Sequence, residues 1–181
     1  MKIIRVISSS PVFNVDFHPD SAMLLPGRPV FYPDFGKDWM AVPYVAVRVN
    51  RLGKSISEKF ASRYYDALSV AVRIVPSGGC DIPEGVLSGM DCSINFGEWI
   101  CPQEFFGLGA VMIGDVPVGC HDVTKDVIDS IVSEASRLTS LRMGDVLMIP
   151  VVPECGIAIS PRMRVVALCD GSRELLNIKV V

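Results

Sequence analysis

Few residues in this chain are placed to do chemistry on their own. Cys120-His121 has the types of a nucleophile and its base. Adjacent residues rarely aim their side chains at each other, and no third group stands by to orient the imidazole. The other histidine, His18, precedes Pro19 in the stretch HPDSA, where a structural hydrogen bond outweighs a catalytic role. The six cysteines are Cys80, Cys92, Cys101, Cys120, Cys155 and Cys169, and no two have C-x-x-C spacing. Zinc is therefore not expected. Reduced thiols in a cytoplasmic protein are the expectation, several of them buried as small apolar groups.

The elements that must position such residues are short. Residues 2–7 read as a buried strand. Residues 8–25, with Pro11 and Pro19, read as irregular. The clearest strand of the first half spans 42–50, with Val45, Val47 and Val49 on one face and Tyr44, Ala46, Arg48 and Asn50 on the other. Ser57 can cap a helix reaching about residue 66. Residues 68–75 read as a buried strand and 76–84 as a Gly/Pro-rich loop. The best helix spans about 123–141, with Asp122 as its N-cap and a stripe of Val123, Val127, Ile128, Ile131, Val132, Ala135 and Leu138. Residues 146–151 form another buried strand, although Pro150 implies an edge or an irregular end. Residues 163–169 and 175–181 pair as a hairpin across Asp170-Gly171. Many short strands with two sizeable helices define an α+β class that is mainly β.

Composition bounds the function. The chain has 181 residues, half of them apolar, with 20% charged and a net charge of −3. That is one domain, spanning 1–181, with too much apolar surface to stay disordered. No basic cluster marks a nucleic-acid footprint. The apolar runs are far shorter than the roughly 18 residues of a membrane span. The opening stretch is too short for a secretory signal. Such apolar content in a small domain points to a partner surface, and a homodimer is expected.

Residues 48–68, RVNRLGKSISEKFASRYYDAL, resemble the fumarylacetoacetate hydrolase family. There the segment is a strand, a Leu-Gly turn and a short helix. HPDSA at 18–22, YPDF at 32–35, GEWI at 97–100, the long helix with LRMGDVLM at 141–148, and the closing hairpin follow in the family's order. The resemblance covers the chain from about residue 15. It implies a mixed β-sandwich roll, usually dimeric. It also implies hydrolysis, isomerisation or decarboxylation of small β-keto acids with Mg²⁺, Mn²⁺ or Ca²⁺ held by three carboxylates. A hard cation gathers oxygen ligands and stabilises an enolate.

The carboxylates are not at those positions. The implied Glu-x-Glu pair falls on Val42 and Tyr44, and the implied Asp falls on Arg73. No nearby carboxylate substitutes obviously. The family's catalytic-type Lys falls at Ser88, ahead of Gly89-Met90-Asp91, and His18 stands where the family often has Lys. Residues 8–17 contain no His where the family places one to activate water. The T-G-T-P loop reads Ile-Pro-Val-Val at 149–152, and the loop 76–84 is short and lacks basic residues.

No metal cofactor is therefore expected; Mg²⁺ or Mn²⁺ enters only if the enzyme reading holds. Tyr44 and Arg73 either form a remodelled pocket for a small carboxylate or fill the former site. The filled site is favoured, because a buried tyrosine commonly packs with its hydroxyl satisfied. Arg73, buried on its strand, then needs an internal partner, with Tyr44, Asp38 and Asp91 the nearest candidates by sequence. The expected function is a non-catalytic structural, regulatory or ligand-binding role. The alternatives are an active hydrolase, isomerase or decarboxylase acting on a small β-keto acid, and a subunit completing an active paralogue.

Overall fold

A computed structural model describes residues 1–9, 12–36, 38–77, 82–151 and 156–181. Cys80, Cys155, Val152 and part of the loop 76–84 lie outside the described residues. The backbone of the fold is a long antiparallel pair, β3 (Trp39–Val49) and β4 (Tyr65–Pro76). On the outer side of β4 lies β5 (Ile94–Phe96). On the outer side of β3 lie β8 (Val146–Pro150) and, further along, β9 (Ile157–Ile159). The strand β1 (Lys2–Ser8) runs parallel to β8, and β2 (Asn14–Pro19) closes that edge antiparallel to β1. These strands make a seven-stranded mixed sheet in the order β2-β1-β8-β3-β4-β5, with β9 added beside β3. A four-stranded sheet holds β6 (Val111–Ile113), β7 (Val116–Val118), β10 (Arg164–Cys169) and β11 (Arg173–Lys179), in the order β11-β10-β6-β7.

The period-2 pattern decides which face each residue serves. Val45, Val47 and Val49 join Leu68, Val70 and Val72 in the main core. Tyr44 and Ala46 turn to the opposite face, with Ala71, Ile94, Val146 and Met148 in a second, smaller cluster. The central strands are thus apolar on both faces. Pro43 lacks an amide donor, yet it lies inside β3. It sits between the stretch of β3 that pairs with β9 (Trp39 to Ala41) and the stretch that pairs with β8 (Tyr44 to Arg48), where the ladder on that side is already broken. Pro150 is likewise tolerated as the last residue of β8, opposite Tyr44. Of the two expectations for this strand, an edge or an irregular end, the second holds: β8 is interior and Pro150 is its last residue.

The helices differ from expectation at their ends. The long helix is α3 (Lys125–Leu138), and its N-cap is Thr124, whose hydroxyl accepts from Val127 N; Asp122 lies in a preceding 3-10 turn, Cys120–Asp122. Ile128, Ile131, Val132 and Ala135 are buried, while Val127 and Leu138 are exposed. The segment after Ser57 is a 3-10 turn, Glu58–Arg63, and Ser57 makes no side-chain cap. Two one-turn helices, α1 (Glu84–Ser88) and α2 (Pro102–Phe106), are too short to leave a periodic signal. The hairpin β10–β11 forms across Asp170-Gly171 as expected. Both turn residues have positive φ, 47° and 68°, the backbone of a type I′ turn.

Within 8–25, residues 14–22 are more regular than their turn residues imply. Asn14–Pro19 pairs with β1 over its whole length, and Asp20–Ala22 is a 3-10 turn. The pairing overrides poor strand composition, because β1 offers an otherwise unpaired edge.

Candidate functional site

The pairing registers gather one set of polar side chains on the second face of the large sheet. Val42 lies opposite Arg73, Tyr44 opposite Ala71, Arg5 opposite Asp16, and Ile3 opposite His18. Above them sits α1, which supplies Glu84 and Ser88. The family-derived positions Val42, Tyr44, Arg73, His18 and Ser88 therefore converge. Arg5, Asp16 and Glu84 join them without any motif having marked them.

Asp16 is the hub. Arg5 donates to it in a fork, from Nε to Oδ1 at 3.0 Å and from Nη2 to Oδ2 at 2.5 Å. His18 Nε2 is 3.2 Å from Oδ1, and Ser88 Oγ donates to Oδ2 at 3.2 Å. Burial alone would raise the Asp16 pKa. The hydrogen bonds from His18 and Arg5, and the charge of Arg5, outweigh it and hold the carboxyl well below the usual range. Burial also opposes the charge on Arg5, but its bonds to Asp16 and to Tyr44 Oη, the latter 3.5 Å away, push its pKa up. An ionised Asp16 can only accept, so His18 Nε2 carries the proton in that contact. His18 is buried on β2 rather than in a loop, and its Nδ1 has no hydrogen-bond partner among the described residues.

Arg73 is 1% exposed. Its partner is neither Asp38 nor Asp91 but Glu84, whose Oε1 lies 2.7 Å from Arg73 Nη2. The same oxygen accepts from Arg5 Nη2 at 2.6 Å. Glu84 is close to Arg73 along the chain, but nothing in the sequence marks the short helix α1 as folding back over the sheet. Asp16 and Glu84 both reach the site, and each is turned toward a guanidinium.

This donor set does not fit a hard divalent cation. Such an ion needs several free oxygen ligands. Here Arg73 places a cation at one ligand position, Val42 an apolar group at another and Tyr44 a phenol at the third. Asp16 and Glu84 are both bound to arginines. Among the described residues, no group of three or more His, Cys, Asp or Glu could hold a metal ion. The arrangement can instead balance negative charge: two guanidiniums face two carboxylates on a sheet face walled by Val42 and Ile94.

Cys120 and His121 are not a catalytic pair. The Cys120 thiol is pushed up to about 12 by burial and by neighbouring Cys169, so it holds no thiolate at neutral pH. His121 is exposed beside it in the 3-10 turn.

No family model matches the sequence, and no curated protein matches it. Solved structures do match. A protein from Yersinia pestis CO92 assigned to the fumarylacetoacetate hydrolase family superposes with a TM-score of 0.78 at 18% identity, covering 99% of this chain and 92% of that one. The 5-carboxymethyl-2-hydroxymuconate delta-isomerase of Mycobacterium smegmatis gives 0.78 at 16% identity, covering 99% and 78%. Fumarylpyruvate hydrolase from Pseudomonas aeruginosa, solved with Mn²⁺ and pyruvate, gives 0.73 at 15% identity, covering 99% and 88%. These likenesses span nearly the whole of this chain, and the chain has the fold of the fumarylacetoacetate hydrolase family.

Proposed function

We propose that this chain is a catalytically degenerate relative of the metal-dependent hydrolases and isomerases whose fold it has. Its role is metal-independent: structural, regulatory or ligand-binding. The observation that carries this reading is the Arg5–Asp16 and Arg73–Glu84 pairing on the sheet face where the resemblance places three carboxylates. A guanidinium at a ligand position repels a divalent ion, and the remaining carboxylates are neutralised. Coulomb repulsion between Arg73 and an added dication would have no free carboxylate to offset it. Titration with Mn²⁺ followed by calorimetry tests the reading. No binding is expected. Stoichiometric binding tighter than about 100 µM, near 5.5 kcal/mol, overturns it.

The same proposal includes a cytoplasmic homodimer. Free thiols at Cys92, Cys101, Cys120 and Cys169 support a reducing compartment. Exposed Leu25 and Phe31, which line one apolar groove with Met1, Met23 and Leu24, support a partner surface. Among the described residues no helix is long and apolar enough to cross a membrane. Light scattering should report twice the chain mass of 19.7 kDa, and a clean monomer would contradict the dimer.

A further inference from the structure

The two arginines of the site are not equally satisfied. Arg5 has its fork filled by Asp16. Arg73 has not. Its Nε and Nη2, the two donors along one edge of the guanidinium, are buried and make no hydrogen bond among the described residues. The 2.7 Å contact of Nη2 with Glu84 is an ion pair without hydrogen-bond geometry. That edge is the one that suits a planar carboxylate, which can accept from both donors at once.

Glu84 cannot supply this match from where it stands. It is the first residue of α1, and its recorded contacts with both guanidiniums go through a single oxygen, Oε1. Its side chain is 51% exposed, so it reaches the arginines from the solvent side. Moving it outward returns a carboxylate to water at little cost. Leaving the edge of Arg73 unmatched is the costlier condition, because a buried donor without an acceptor carries its full desolvation penalty.

We infer that Arg73 and Arg5 form a binding site for a small planar carboxylate, and that Glu84 holds the seat as a displaceable internal competitor. The incoming carboxylate takes the Nε–Nη2 edge of Arg73 with its two oxygens and meets Arg5 Nη2 where Glu84 Oε1 now lies. Val42 and Ile94, the cross-strand neighbours of Arg73 on either side, are apolar, and charge-assisted bonds are stronger in such surroundings. Tyr44, whose hydroxyl lies 3.5 Å from Arg5 Nη1, stands beside the same guanidinium. No bond is made or broken, and Glu84 moves to solvent.

This inference rests on the metal-free reading of the site. The test is calorimetric titration of oxalate, in EDTA-treated buffer of low ionic strength, into the whole chain and three variants: Glu84→Ala, Glu84→Gln and Glu84→Ala with Arg73→Met. Glu84→Gln keeps the shape and removes the charge, and serves if the alanine variant does not fold. Both single variants are expected to bind one oxalate per chain at least tenfold more tightly than the unaltered protein. Adding Arg73→Met should abolish binding. Single variants that bind no more tightly than the unaltered chain overturn the inference, as does binding that survives Arg73→Met. Either failure leaves the metal-free reading standing, since only Mn²⁺ binding by the unaltered chain refutes that.

Discussion

The substitution Asp16→Asn tests the hub of the network most directly. The change keeps the shape and removes the charge. Arg5, 13% exposed at its side chain, loses the fork partner that neutralises it. Breaking a buried pair by removing one member costs about 3–5 kcal/mol. The low end applies, because Arg5 keeps Glu84 Oε1 and Tyr44 Oη. A loss of about 3 kcal/mol in a chain of this size lowers Tm by roughly 6–12 °C. Acid supplies the second arm. The folded Asp16 pKa lies below its unfolded value of about 3.9. Its stabilising contribution is therefore full above about pH 4 and is lost as pH falls toward the folded value. At pH 3 it should be smaller by about 1 kcal/mol than at pH 7. The amide that replaces the carboxyl does not titrate, so the gap between the two proteins should narrow by that amount. Urea unfolding at pH 7 and pH 3 measures both arms. A gap under about 1 kcal/mol at pH 7, or one that does not shrink in acid, would refute the argument that Asp16 is ionised and committed to Arg5.

Arg73→Met should change stability by less than about 2 kcal/mol, since only one member of the pair is removed and Glu84 keeps both Arg5 and solvent. A loss above about 2 kcal/mol in a urea melt would show the ion pair to be structural. Tyr65 donates to buried Asp129 at 3.0 Å, and Lys125 also binds that carboxylate. Tyr65→Phe should cost about 1–2 kcal/mol. Burial and Asp129 raise the Tyr65 pKa, so its contribution is full below the unfolded value of about 10 and is lost as pH rises above it. The Phe variant should lose less stability between pH 9 and pH 11 than the unaltered chain, and an equal loss would contradict the assignment. A thiol reagent at pH 8 should label the exposed Cys92 and Cys101 in the native protein and reach Cys120 only after unfolding. Mass spectrometry of the labelled peptides decides this, and native labelling of Cys120 would count against its burial.

Much of the fold was legible because its cues are local. The valine alternation at 45, 47 and 49 told one face of β3 from the other, and Asp170-Gly171 marked a turn that needs two positive φ values. The order of weak motifs from HPDSA to the closing hairpin pointed to a family fold that matches along nearly the whole chain. Local cues also misplaced features where they competed. Thr124 caps α3 although Asp122 is the stronger acceptor by charge, because Asp122 is taken into a 3-10 turn. Residues 14–19 form β2 despite a turn-like composition, because the edge of β1 was open to pairing.

The site divides along the same line. The sequence determined which residues stand at the former ligand positions, Val42, Tyr44 and Arg73, and that a buried Arg73 must find a counter-charge. Only the tertiary structure decided what that counter-charge is. It is Glu84, eleven residues along the chain from Arg73 but seventy-nine from Arg5, which descends on both from a one-turn helix; Asp16, eleven residues from Arg5, faces that arginine across a strand pair. None of these distances leaves a periodic trace, because ion pairs form wherever the packing of separate elements leaves a buried charge beside a carboxylate. The unmatched edge of Arg73 belongs wholly to that level too, since it is a property of hydrogen-bond angles around one guanidinium and not of any spacing along the chain.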